Sequence, residues 1–320
     1  GYGNLVYTEN SGRNDIIGAQ ESRDANYLYF LVECADNITA STDSLWMNLY
    51  LDVDQSKQGW NTFDFVIGKS GTTASTMTLE KFTADNGWWL EDYALFMALK
   101  DFFNGQCWYE WPEDIRLRYD YALDYYRREL YFDIEYQKYL QFKFFQQYGW
   151  LKNYANSQGV KIIGDIPIYV AMDSADTWAN PRLFQLDDRN MPTAVAGCPP
   201  DGFSATGQLW GNPLYRWDYH RETGFDWWLT RLWYVYRLYD VTRIDHFRGF
   251  DEYYSIPYGH KTAEFGHWEK GPGIELFRRA EEVLGWHEVI AEDLGFVTDS
   301  VRPLVRDSGF PGMKVLQCAF

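Results

Sequence analysis

The feature that most constrains this chain is an alternation of two periods in its second half. Residues 161–168, 241–244, 288–291 and 313–319 are short runs rich in apolar residues and read as strands. Between them, residues 225–238, 273–284 and 299–308 carry helical spacing, the last closed by Gly309 and Pro311. A helix between two strands returns the chain to the same end of the sheet, so the strands must run parallel. Strands without strict polar alternation are buried on both faces. The expected class is α/β with a parallel sheet and helical crossovers.

The first part of the chain reads differently. Residues 27–32, 45–53 and 63–67 are strand-like runs separated by turn signals, as in an all-β sandwich. The period changes at Gly87-Trp88, which sets the expected joint between a segment 1–87 and a domain 88–320. After it, Trp89, Tyr93, Phe96, Met97 and Lys100 share one face at helical spacing. Further helices are expected over 121–148 and 146–158, with Gly159 at a left-handed cap.

Composition narrows the function. The 320 residues carry a formal charge of −17, which disfavours nucleic acid and anionic membrane as partners. No apolar run reaches the roughly 18 residues of a membrane span. Cys34, Cys107, Cys198 and Cys318 show no metal-ligand spacing, no phosphate-cradling glycine loop is present, and no cofactor or metal is expected. The histidines 220, 260, 267 and 287 also lack paired spacing and read as surface or structural, with His267 a neighbour of the Gly271-Pro272-Gly273 stretch.

Candidate chemistry gathers at the strand ends. Asp165, Asp245 and Glu292 each follow an apolar run directly. In parallel α/β barrels that rim carries the active site, so three acids there would converge on one pocket. Converging carboxylates suit either a hard cation or glycosyl transfer, in which one carboxylate attacks and another donates a proton. The surroundings favour transfer. Arg243, His246, Phe247 and Arg248 flank Asp245, and a cation beside a carboxylate keeps it ionised for attack. Trp178, Trp210, Tyr215, Trp217 and Trp268 fall in expected loops, where flat rings could stack on sugars.

At these residues the sequence resembles the amylomaltases, the 4-α-glucanotransferases or disproportionating enzymes of the α-amylase superfamily. The resemblance runs from about Trp88 to Phe320. It is carried by Trp89-Leu90-Glu91-Asp92-Tyr93-Ala94-Leu95-Phe96 and Gly164-Asp165-Ile166-Pro167-Ile168-Tyr169-Val170. It continues through Pro199-Pro200-Asp201-Gly202-Phe203-Ser204 and Gly207-Gln208-Leu209-Trp210-Gly211-Asn212-Pro213. Arg243-Ile244-Asp245-His246-Phe247-Arg248-Gly249 and Ala291-Glu292-Asp293-Leu294-Gly295 complete it. The resemblance implies a partial (β/α)8 barrel with helical insertions, its strands being the third to sixth. It implies Asp245 as nucleophile and Glu292 as general acid and base. Arg243 would orient Asp245, and Asp165 and His246 would bind sugar hydroxyls. The loop bearing Asp201 would cover the cleft, with Trp210 stacking on a glucose and Tyr215 among the substrate-binding aromatics. The implied partners are malto-oligosaccharides or a starch-type glucan, and the implied compartment is cytoplasmic.

Superfamily members carry a third carboxylate in a Gly-Thr-His-Asp-Asn-like motif on a later strand, and the 320 residues lack that motif. Impaired turnover is therefore one expectation, and a non-catalytic glucan-binding protein or inactive fragment is the alternative. Plain hydrolysis is the runner-up reaction. Residues 1–87 resemble, more weakly, part of a DOMON-like carbohydrate-binding sandwich. Arg23-Asp24-Ala25-Asn26-Tyr27-Leu28-Tyr29-Phe30, Leu51-Asp52-Val53-Asp54 and Gly59-Trp60-Asn61 carry that likeness. The Asp52 and Asp54 turn reads as a hairpin rather than a calcium loop, and Trp46 as sandwich core.

Overall fold

The structure, a computed structural model, describes residues 16–23, 28–34, 48–51, 65–68, 79–202, 204–294 and 300–315. The chain divides into two compact units, Gly1–Thr78 and Leu79–Phe320. In the first, β1 (Ile16–Arg23) pairs antiparallel with β2 (Leu28–Cys34), and β3 (Asn48–Leu51) with β4 (Phe65–Gly68). β1 is the strand that the sequence reading did not foresee. Trp46, Asp52, Asp54 and Trp60 lie outside the described residues.

The second unit opens with α1 (Leu79–Phe102), which runs straight through the expected joint at Gly87. Asn86-Gly87 is a turn signal in sequence. Here two bonds within the helix and one tertiary bond hold it helical. The Asn86 side chain donates to the Phe82 carbonyl at 2.8 Å and accepts from the Tyr234 hydroxyl at 2.9 Å and the Trp89 indole at 3.2 Å. Phe82, buried, meets Phe142 and Phe145 at ring separations of 5.8 and 5.5 Å. The chain continues through α2 (Glu113–Arg116), α3 (Asp120–Glu129) and α4 (Tyr131–Ser157), the last packed along α1.

Then the expected alternation sets in. β5 (Ile163–Pro167) is followed by α5 (Ala175–Ala179), β6 (Ala194–Cys198), β7 (Gln208–Pro213), α6 (Trp217–Glu222) and α7 (Asp226–Leu238). β8 (Val241–Asp245), β9 (Glu252–Pro257), β10 (His267–Lys270), α8 (Ile274–Leu284), β11 (Val289–Ala291) and α9 (Val301–Ser308) complete it. β5, β8 and β11 form a parallel sheet in the order β11-β8-β5, and Gly312 adds a parallel bridge to Ala291. Four consecutive chain segments are thus spatial neighbours, as in an arc of a (β/α)8 barrel. Residues 316–319 of the last expected strand lie outside the described residues. Ile166, Ile244 and Ala291 pack with Leu232 of α7, Leu276 and Phe277 of α8 and Leu304 of α9 in one core.

The sequence reading missed a second sheet. β10, β9, β6 and β7 pair antiparallel in that order. Its strands fall where loops were expected. Ala194–Cys198 has no large side chain beyond Val195, so it carries little strand signal of its own.

His220 of α6 sits in the core, fully buried, with Nε2 3.1 Å from the Leu183 carbonyl. Burial pushes its pKa down to about 4, against the opposing hydrogen bond to Leu183. The unfolded chain therefore binds a proton that the folded one refuses between about pH 6.5 and 4. Folding stability should fall as pH drops through that window, by roughly 3 kcal/mol from this residue. Urea denaturation at stepped pH checks it. His220→Gln should flatten the slope; an unchanged slope would assign it elsewhere.

Candidate active site

Register places the acidic residues. Asp165 of β5 stands opposite Arg243 of β8, and Pro167 opposite Asp245. β5 thus runs past Asp165 to Pro167, and Asp165 lies inside the strand, not at its end as expected. Ala291 of β11 stands opposite Ile244, so Glu292, one residue on, is level with Asp245. Neighbouring strands lie about 4.8 Å apart.

Arg243 joins two of the three acids. Nη1 donates to Asp165 Oδ1 at 2.7 Å and Oδ2 at 2.8 Å, and Nη2 donates to Asp245 Oδ1 at 2.6 Å. Nε points at the Met313 sulfur, 3.1 Å away. Burial disfavours the charged guanidinium, but the bonds to Asp165 and Asp245 outweigh it and raise its pKa. Glu292 is held from the backbone. Oε2 accepts from the His246 N–H at 2.9 Å and Oε1 from the Leu294 N–H at 2.8 Å. The backbone seats it too: Glu292 N–H donates to the Ile244 carbonyl and Phe247 N–H to the Glu292 carbonyl.

His246 follows Asp245 in the left-handed region, φ 50° and ψ 48°. This conformation brings its N–H to Glu292. Its ring leans over Gly249, where a Cβ would lie 3.0 Å from the imidazole. Burial and then the charge of Arg248 push the His246 pKa down to about 4, against the pull of Asp245. The ring is therefore neutral at physiological pH. Trp210 rides on β7 and meets the imidazole edge-on, with ring centroids 4.8 Å apart. Asn212, two residues along β7, ties that strand to the Val170 carbonyl at 2.8 Å.

Asp165, Arg243, Asp245, His246, Glu292 and Trp210 are thus linked by these contacts. Two expected residues are not. Tyr215 is 1% exposed and stacked on Tyr169, and its hydroxyl donates to the Ile168 carbonyl at 2.7 Å. It is a core residue: its polar end is satisfied inside, and no face is left for a ligand. Asp201 serves its own loop, accepting the Ser204 N–H at 2.8 Å. Trp178 and Trp217 are likewise buried, whereas Trp268 is half-exposed beneath the Arg248 guanidinium, 4.2 Å from its centroid. Among the described residues, no cluster of His, Cys, Asp or Glu could hold a metal ion. The sequence reading gave no role to Met313 or Asp293; the one signal was that Asp293 directly follows Glu292.

The Arg243 ion pairs add little to stability. The Asp165 and Asp245 side chains are 58% and 44% exposed, and ion pairs open to solvent contribute about 0–1 kcal/mol. Arg243→Lys should leave the urea unfolding free energy within about 1 kcal/mol of the parent. A larger loss would show that the fork holds the sheet together.

The family profile described as 4-alpha-glucanotransferase matches residues 36–320, reaching well upstream of Gly87. The 4-alpha-glucanotransferase of Clostridium butyricum is 52% identical over 241 residues, 75% of this chain and 50% of that protein. That of Thermus thermophilus is 50% identical over 239 residues, 75% of this chain and 48% of that protein. Among solved structures, the amylomaltase from Streptococcus agalactiae in complex with acarbose superimposes with a TM-score of 0.74. It shares 44% identity, over 76% of this chain and 49% of that one. The chain spans about half the length of the relatives it matches. With the strand order, the carboxylates and the profile in agreement, this chain belongs to the 4-alpha-glucanotransferase family.

Proposed function

We propose that this chain carries the reacting groups of an α-1,4-glucan transferase working by retaining double displacement. The observation that carries this reading is the pairing of Asp245, bound to Arg243, with Glu292, held level with it on the neighbouring strand by two backbone N–H groups. A retaining mechanism needs its two carboxyl groups about 5–5.5 Å apart, close to the spacing of adjacent strands.

In the first step an Asp245 oxygen attacks the anomeric carbon of the donor glucan. The glycosidic bond breaks, and protonated Glu292 gives its proton to the leaving 4-oxygen. The glycosyl ester on Asp245 is the intermediate. In the second step Glu292, now a carboxylate, takes the proton from an acceptor hydroxyl. That oxygen attacks the anomeric carbon and releases Asp245. Arg243 donates to Asp245 Oδ1 and so aims the carboxylate. Neutral His246 can donate to or accept from a sugar hydroxyl, and half-exposed Asp165 can accept one. Trp210, 36% exposed, offers an indole surface to a glucose ring. Asp201 shapes the loop 199–207 through its bond to Ser204.

No helix among the described residues is long and apolar enough to cross a membrane. Cys107 and Cys198 are free thiols, as suits a reducing cytoplasmic setting.

Incubation with maltotriose tests the reading. Transfer yields glucose together with chains longer than the substrate, separable by length. Asp245→Asn should abolish both, and Glu292→Gln should slow transfer by about 10²-fold or more. Glucose and maltose without longer chains would make the protein a hydrolase, and no products with retained glucan binding would make it a binding protein.

A further inference from the structure

Arg243 is gripped on three sides, and the third grip comes from a residue that no reading of the chemistry uses. Its two terminal nitrogens are taken by Asp165 and Asp245, and its Nε meets the Met313 sulfur at 3.1 Å. Met313 belongs to a short segment laid beside the end of β11. Ala291 N–H donates to the Pro311 carbonyl at 2.9 Å, and Ala291 bridges Gly312 in parallel. A parallel ladder would next send the Met313 N–H to a strand carbonyl. The Asp293 side chain also accepts that N–H, Oδ1 to N at 2.8 Å.

The space for that carboxylate is made by Gly312. A Cβ there would stand 2.4 and 2.7 Å from the two Asp293 oxygens, closer than any packing permits. A side chain at position 312 would therefore push the Asp293 carboxylate out of the place from which it holds Met313. Two features of different kinds, a side-chain acceptor and a missing Cβ, serve one contact.

We propose that Asp293 is a positioning residue. By fixing Met313 it holds the sulfur against Nε of Arg243, and so sets the plane of the guanidinium that aims Asp245. Sulfur is a weak acceptor, so the contribution is placement more than bond strength. Without Asp293, the segment keeps the Pro311 bond, but Met313 loses its anchor and Arg243 loses its third contact. Misplacing a group near a reaction by about 1 Å can cost roughly 10²-fold in rate. The Met313 N–H asks only for an acceptor, so an amide oxygen at position 293 would serve as well as a carboxylate.

The test compares Asp293→Ala, Asp293→Asn and Gly312→Ala. Only its kinetic arm rests on the transfer reading. With malto-oligosaccharide substrate, Asp293→Ala and Gly312→Ala should lower kcat by roughly 10²-fold with KM little changed, and Asp293→Asn should recover most of the loss. The second arm needs no turnover: NMR of the Arg243 Nε–H and the Met313 amide. Both should resist solvent exchange in the parent and in Asp293→Asn, and exchange faster in the other two variants. The inference is overturned if Asp293→Ala frees the Met313 amide but leaves the Arg243 Nε–H protected, or if Asp293→Asn behaves like Asp293→Ala. Should Asp293→Ala fail to fold by circular dichroism, Gly312→Ala and Asp293→Asn decide the matter by the same signatures. A parent with no transfer activity defeats the functional reading alone, and the Arg243 signature still judges this one.

Discussion

The guanidinium of Arg243, shared between Asp165 and Asp245, exists because two parallel strands meet in one register. Along β8, Arg243 and Asp245 face one side of the sheet while Thr242 and Ile244 face the other. Thr242 and Ile244 are 1% and 0% exposed. A slip of one residue would exchange these faces, burying the arginine and its acid and exposing the core pair. Burial of Ile244 with Ile166 and Ala291 thus enforces where the charges sit. The core supplies the stability, and the polar face inherits its geometry from it. This division explains how carboxylates as exposed as these can still be well placed.

Glu292 is positioned by different means. No cation grips it. Its two oxygens accept backbone N–H groups, one from His246 and one from Leu294. The first of these is available only because His246 turns left-handed immediately after β8, a conformation that costs a non-glycine residue about 1 kcal/mol or more. The absence of a side chain at Gly249 makes room for the ring that results. One acid is thus fixed by a charge and the other by dipoles.

The legible part of this architecture is the part written in local pattern. Apolar runs alternating with helical spacing gave the parallel sheet, and an acid placed directly after such a run marked Asp245 and Glu292. Asp165 was found by the same signal but placed wrongly, because β5 continues through Ile166 and Pro167 and strand ends are poorly marked in sequence. Aromatic residues misled, since a ring suits a core and a sugar equally well. Tyr215 and Trp178 took the core, each satisfying its polar atom on a backbone carbonyl, of Ile168 and Ile115. The start of α1 was hidden because the bond that rescues Asn86 comes from Tyr234, 148 residues later. Met313 was invisible as a site residue for the same reason: its role depends on what Asp293 and Arg243 do from other strands.

Every group in the constellation except Trp210 comes from a run of neighbouring strands joined by helical crossovers. β5 supplies Asp165, β8 supplies Arg243 and Asp245, the end of β11 supplies Glu292 and Asp293, and the segment beside it supplies Met313. The contacts span adjacent strands or residues of one turn, apart from Arg243 to Met313, which reaches past β11, and Trp210, which reaches His246 from the antiparallel sheet. Geometry of this kind is set by strand register and crossover handedness, both local to each βαβ unit. It does not call on closure of a full ring. A chain spanning about half the length of its relatives can therefore bring Asp245, Glu292 and Arg243 together on one continuous sheet. In such a sheet the line from Asp293 through Met313 to Arg243 ties the segment beside β11 to β8.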